Sequence, residues 1–172
     1  MDPRIGTMTR SFERRLLAAT FCLLTSSAPA AAQAGDYLRI EAPDTTLLVP
    51  TGELQEMSRE TMTVTFHDTE TVRFEGVPLY AVLKLAGVSA DSLRGPALRQ
   101  RVVIGAEDGY EVVFSLAELD PSLPDRRYLL ADRADGQPLR AEEAPLRLLI
   151  EGDPRHSRWI RQVTWIEVRA EP

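Results

Sequence analysis

The sequence predicts an α+β domain in which strands outweigh helices, built on a mixed, curved sheet with a few short helices. Three observations carry this. Thr61 to Phe66 alternates strictly, with Met62, Val64 and Phe66 on one side and three threonines on the other. Asp108-Gly109, a hairpin turn signal, separates two β-branched runs. Between Pro78 and Gly87, the residues Leu79, Val82, Leu83 and Ala86 form an i, i+3, i+4, i+7 stripe that reads as a short amphipathic helix.

The remaining elements follow in order. Tyr37 to Glu41 and Thr46 to Val49 read as a strand pair around the turn Ala42-Pro43-Asp44. Thr51 is placed to cap a short helix, with Glu53 in its first turn and Leu54 and Met57 on one face. After the turn His67-Asp68-Thr69, Thr71 to Glu75 returns as a strand. Arg101 to Ala106 is a central strand by its β-branched, apolar character, and Glu111 to Phe114 completes the hairpin. Ser115-Leu116-Ala117-Glu118 fits a capping box opening a short helix that Pro121 ends. Tyr128 to Ala131 is a further strand. Asp135-Gly136 turns the chain, and a loop runs from Pro138-Leu139 to Pro145. Leu146 to Ile150 is a nearly continuous apolar strand that Gly152-Asp153-Pro154 breaks, and Trp159 to Val168 is expected to be the last and longest strand.

Residues 1–34 read differently. Arg10, Arg14 and Arg15 make a basic start, Leu16 to Leu24 an apolar core too short for a bilayer of roughly 30 Å, and Ser26 to Ala34 a small-residue tract with A-x-A sites. This is the pattern of a cleaved export signal, leaving residues 35–172 as one domain in the periplasm or outside the cell. Arg14-Arg15-Leu16-Leu17 is a partial twin-arginine pattern without its usual continuation, so unfolded export is expected. The whole chain carries a net charge of −6, and the segment removed holds four arginines against Asp2 and Glu13. The remaining domain is more acidic still, which disfavours nucleic acid and anionic membrane surfaces as partners. No later segment is apolar enough to span a membrane. The single cysteine, Cys22, falls inside the expected signal. The domain itself then offers no disulfide, no thiol nucleophile and no thiolate ligand.

The order of short motifs adds a resemblance. Phe74-Glu75-Gly76-Val77-Pro78-Leu79 precedes a helix closed by Leu85-Ala86-Gly87-Val88. Ala106-Glu107-Asp108-Gly109-Tyr110 and Phe114-Ser115-Leu116 follow. Then come Leu129-Leu130-Ala131, Asp135-Gly136-Gln137-Pro138-Leu139 and Ala144-Pro145-Leu146-Arg147-Leu148. Gly152-Asp153, Trp159-Ile160-Arg161-Gln162-Val163 and Ile166-Glu167-Val168 close the series. Over roughly Ile40 to Val168 the chain resembles the oxidoreductase molybdopterin-binding domain, the sulfite oxidase fold, in a short exported form. The resemblance implies that fold, and molybdopterin as the family's cofactor. It also implies a molybdenum-ligating cysteine just after the strand that precedes the Gly-Val-Pro-Leu motif. The corresponding stretch here, Val64 to Thr69, is a tight hairpin without cysteine, and the segment that helps cradle the pterin is shortened. A soft metal centre without its soft ligand loses affinity and control of its potential.

Four residues are candidates for cofactor or anion binding. Arg155, His156 and Arg158 stand in the loop that, by the resemblance, helps hold an anionic cofactor, and guanidinium groups suit phosphate and carboxylate; the alternative is a solvated basic loop that balances an acidic surface. His67 lies near the place of the missing cysteine, either as an exposed turn residue beside Asp68 or as a substitute ligand or proton-transfer group. No catalytic residue and no metal ligand set is assigned, since two histidines without cysteine do not build a zinc site. Asp108 and Tyr110 read as a hairpin turn with a cross-strand aromatic, or as a pocket rim. Trp159 and Trp165 read as core or edge anchors of the last strand, or as rings that stack on a ligand, and Glu142 and Glu143 read as solvated charges.

The expected function is a non-redox module, in which no cofactor is needed, binding a small anion or a periplasmic protein. The alternatives are a molybdopterin-dependent oxidoreductase with non-thiolate ligation and an accessory subunit without a small ligand.

Overall fold

The computed structural model describes residues 37–66, 70–123 and 126–170. The expected export signal, and His67 with its turn, lie outside the described residues. No helix among the described residues is long and apolar enough to cross a membrane.

The strands divide between two sheets. The first takes β1 (Tyr37–Ala42), β2 (Thr45–Pro50), β5 (Arg101–Ala106), β6 (Glu111–Ser115) and β10 (Val163–Arg169), in the order β2-β1-β10-β5-β6. It is mixed, because β1 runs parallel to β10, pairing Arg39 with Trp165, while its other neighbours are antiparallel. The second holds β3 (Glu60–Phe66), β4 (Glu70–Pro78), β7 (Tyr128–Ala134), β8 (Gln137–Pro138) and β9 (Arg147–Ile150). It is antiparallel throughout. β4 lies along one edge of β7, and β9 and β8 share the other. The α+β class stands, with two sheets in place of one.

One apolar cluster joins both sheets and the helices. Leu38, Ile40, Ile104 and Ile166 of the first sheet are fully buried, as are Leu148, Leu149 and Ile150 of β9 and the helical stripe Leu79, Val82 and Leu83 of α2 (Leu79–Leu85). Burial of this kind stabilises by about 1.5–3 kcal/mol per large side chain before entropy is charged against it. Two glycines permit close approach. A Cβ on Gly76 would lie 2.0 Å from the Leu130 carbonyl oxygen, where β4 bulges against β7. A Cβ on Gly105 would lie 2.0 Å from the indole of Trp165.

Local chemistry fixes several element ends. Pro78 precedes α2, and Gly87 follows it at φ 74°. The Ser115–Glu118 capping box forms as the sequence predicts: Ser115 Oγ accepts from the Ala117 N–H at 3.3 Å, and Glu118 Oε1 accepts from the Ser115 N–H at 3.2 Å. The turn it opens, Leu116–Leu119, is 3-10. Thr51 proves to be the first residue of α1 (Thr51–Gln55), with Pro50 in the cap position.

The last strand is shorter than expected. β10 starts at Val163, because Trp159 closes a 3-10 turn (His156–Arg158) and Gln162 sits at φ 54°. Residues 160–163 cross the seam between the sheets instead. Ile160 accepts from the Leu148 N–H at 2.8 Å, and the Val163 N–H donates to Leu146 at 2.9 Å. β4, with nine residues, is the longest strand among the described residues.

Candidate anion-binding cleft

The seam shapes a cleft of about 680 Å³. One wall comes from the end of β3 and the start of β4, where Phe66, Val72 and Phe74 face inward. The opposite wall comes from the loop before β9 and from residues 156–161.

Arg147 forms the base. It is the first residue of β9, and its side chain is only 12% exposed. Its guanidinium carbon lies 5.3 Å from the ring centres of both Phe66 and Phe74, in cation–π range. The carboxylate of Glu143 pairs with it. Its Nε–H is buried and has no acceptor among the described residues. Burial draws the Arg147 guanidinium below the usual arginine range; Glu143 opposes that shift, while the nearby cations Arg161 and Arg140 add to it. An arginine resists deprotonation even so, so the group is a buried cation that must keep an anionic partner.

Aromatic rings surround it. Phe66 meets Phe74 edge-on at 6.2 Å, Trp159 at 6.2 Å and His156 at 5.6 Å. His156 lies tilted against Trp159, with ring centres 4.3 Å apart. Trp159 is buried, and its indole Nε1–H also lacks an acceptor among the described residues. A buried donor without an acceptor costs about 1–3 kcal/mol. Both atoms are closed to solvent, so this cost is carried inside the cleft wall and not at its surface. Arg140 and Arg161 complete the cationic lining, and Glu70, Asp135 and Glu143 the anionic one.

A second recess of about 320 Å³ lies behind His156, Trp159 and Arg161, which line both. Asp108 and Tyr110 stand on its rim, and Tyr110 lies just ahead of β6 instead of pairing across the hairpin. Asp108 Oδ1 accepts from the Tyr110 N–H at 2.9 Å within the turn, and the Tyr110 hydroxyl donates to the Ser157 carbonyl at 3.0 Å.

The residues singled out from sequence fare differently. His156 faces the cleft. Arg155 stands at the start of the 3-10 turn, where its N–H donates to Asp153 Oδ1 at 2.8 Å, and its side chain is not among those lining the cleft. Arg158 reaches Asp153 at 2.9 Å and Glu118 at 3.4 Å, with its guanidinium 4.6 Å from the Phe114 ring centre. It locks the loop to β6 and lines neither recess. Glu143 is not a solvated charge: it is 5% exposed and held by Arg147 and Arg140. Trp159 is a cleft residue outside the last strand, whereas Trp165 does anchor β10, on Gly105. The arginines that build the cleft, Arg140, Arg147 and Arg161, were not among the candidates. The available signal was one charge at position 147 inside the apolar run Leu146 to Ile150.

The donor set does not suit a metal held by protein thiolate. Residues 43–172 contain no cysteine. Among the described residues no group of three or more His, Cys, Asp and Glu could hold a metal ion. The cations and aromatic floor do suit an oxyanion on a flat apolar body.

Comparison with known proteins gives a family. The model of the oxidoreductase molybdopterin binding domain matches residues 43–172. No curated protein matches the chain. Among solved structures, the sulfane dehydrogenase SoxCD from Paracoccus pantotrophus aligns with a TM-score of 0.59 at 20% identity, over 82% of this chain and 40% of that one. The chain therefore spans less than half the length of that protein, and the likeness is one of fold.

Proposed function

The chain belongs to the oxidoreductase molybdopterin binding domain family, and from that premise we propose that it is a non-redox member that binds a small, oxyanion-bearing ligand in the cleft over Arg147. The observation that carries this reading is the largely buried guanidinium of Arg147, which lines the cleft over Phe66 and Phe74 and is flanked by Arg140 and Arg161. Such a group holds phosphate or carboxylate through charge-assisted hydrogen bonds, and the low-dielectric floor strengthens them. His156, exposed at the cleft and backed by Trp159, offers a ring on which a flat ligand can stack.

Chemistry through a thiolate-ligated metal is not part of the proposal, because residues 43–172 supply no thiolate. Family membership favours a second reading, in which the family's cofactor is retained through its pterin and phosphate alone. Export belongs to the proposal too, on the pattern of residues 1–34.

Elemental analysis of the purified chain, with fluorescence of released oxidised pterin, separates these readings. Absence of both molybdenum and pterin, with calorimetric binding of phosphate or pyrophosphate that Arg161→Ala weakens about tenfold, is the expected result. Stoichiometric molybdenum with pterin would establish the second reading and sink the first. Export gives an independent check: replacing Arg14 and Arg15 by lysine is expected to leave it intact, as unfolded transport requires. A block would point to a folded, cofactor-loaded cargo.

A further inference from the structure

Glu143 occupies an unusual position for a carboxylate. It is 5% exposed, it lines the cleft, and it faces the cation that the proposed ligand would need. One oxygen pairs with Arg147 and the other lies 3.5 Å from Arg140 Nε. Its backbone is pinned on both sides: its N–H donates to the Arg140 carbonyl at 2.8 Å, and its carbonyl accepts from the Gln162 N–H at 3.1 Å. The side chain can therefore exchange partners only by rotating, without moving the loop.

We propose that Glu143 is a built-in counter-ion of the cleft, holding the place of a ligand's anionic group, and that it is the residue that selects what the cleft accepts. The inference rests on the reading of the cleft as an anion site.

Arg147 is a buried cation and is costly without an anion, so it pairs with Glu143 whenever no ligand is bound. A ligand must offer Arg147 more than a single carboxylate already does. A monoanion such as acetate only trades one carboxylate for another and binds poorly. A multiply charged oxyanion can take the place of Glu143 at the Arg147 guanidinium and reach the exposed Arg140 and Arg161 as well. The class selected is thus phosphate and pyrophosphate groups, and the charge already present in the cleft rejects weaker anions.

The test titrates acetate, inorganic phosphate and pyrophosphate into the wild-type chain and into Glu143→Gln by calorimetry. Gln keeps the shape and an acceptor for Arg147 but removes the charge. The expected result is phosphate and pyrophosphate binding to both proteins, about tenfold tighter in the variant, with acetate binding gained only in the variant. Binding to the wild type that E143Q leaves unchanged or weakens would overturn this inference and spare the proposed function. Binding to the variant alone would uphold the inference and remove anion binding as the wild-type function. Binding to neither would overturn both. Should E143Q fail to fold, carbon-13 NMR of wild-type Glu143 decides. Its side-chain carboxyl resonance shifts on saturation with pyrophosphate if the exchange occurs, and an unmoved resonance at saturation refutes it.

Discussion

Arg158 closes on the buried carboxylate of Asp153 at 2.9 Å, while the other Asp153 oxygen accepts from the Arg155 N–H at 2.8 Å. Asp153 is 4% exposed, so the carboxylate depends on these donors in place of water. A loop that reads as an anion site in sequence thus uses one of its arginines to satisfy an anion of its own.

Arg158→Ala is therefore expected to destabilise the fold by about 2 kcal/mol, the cost of removing a hydrogen bond to a charged group that stays buried. Phosphate affinity should be unchanged, because Arg158 lines neither recess. Urea unfolding and calorimetry on the same preparation check both halves. A loss of affinity at unchanged stability would show that Arg158 contacts ligand.

Gly105 and Trp165 are cross-strand partners, and the indole covers the face where a side chain at 105 would stand. Gly105→Ala must push the ring aside, for an expected cost of about 1–3 kcal/mol. Trp165 is only half-buried, so the ring has somewhere to go and the variant should still fold. Thermal unfolding measures the cost, and a melting temperature equal to that of wild type would show that the indole yields without resistance.

Much of the fold is legible in local chemistry. Ser115 with Glu118 and Asp108 with Gly109 each end or turn an element through groups a few residues apart, and Pro78 and Gly87 bracket α2. The division into two sheets is not legible in this way, because the pairing that makes the first sheet mixed joins Arg39 to Trp165 across most of the chain. The site follows the same divide. His156 stands out as part of a basic loop, and it lines the cleft. Glu143 beside Glu142 reads as a solvated pair, since nothing adjacent tells which of two neighbouring acids turns inward. The difference comes from Arg147, which is itself hidden in an apolar strand, and from the closing of β3 and β4 over both.

Arg127 and Glu151 give a pH dependence. Two hydrogen bonds of 2.7 Å join them, and Arg127 also lies 3.7 Å from Glu60, tying β3 to the end of β9. The Arg127 hydrogen bonds hold the Glu151 carboxyl below its usual range. A depressed carboxyl pKa stabilises the fold at pH above the unfolded value of about 4.3, and that contribution is lost as the pH falls through the lower folded value. The pair is partly exposed, so screening limits it to about 0.5 kcal/mol. The melting temperature of Glu151→Gln should trail that of wild type by a constant margin from pH 7 to about pH 5, and the two should converge at still lower pH. A margin that persists at pH 3 would show that the charge on Glu151 is not what stabilises.

Arg147 and Glu143 are expected to be strongly coupled. Arg147→Met keeps an apolar body against Phe66 and Phe74 but leaves the Glu143 carboxylate buried, with only the exposed Arg140 near it. Removing one partner of a buried ion pair costs about 3–5 kcal/mol, mostly through the charge left behind. Adding Glu143→Gln to Arg147→Met removes that charge, so the double variant should be more stable than Arg147→Met alone, even though each single change destabilises. Urea unfolding of the four proteins closes the cycle, with an expected coupling of about 2 kcal/mol. Additive losses would mean that Glu143 is satisfied without Arg147. The two side chains would then be neighbours rather than a pair, and an incoming anion would have no carboxylate to displace.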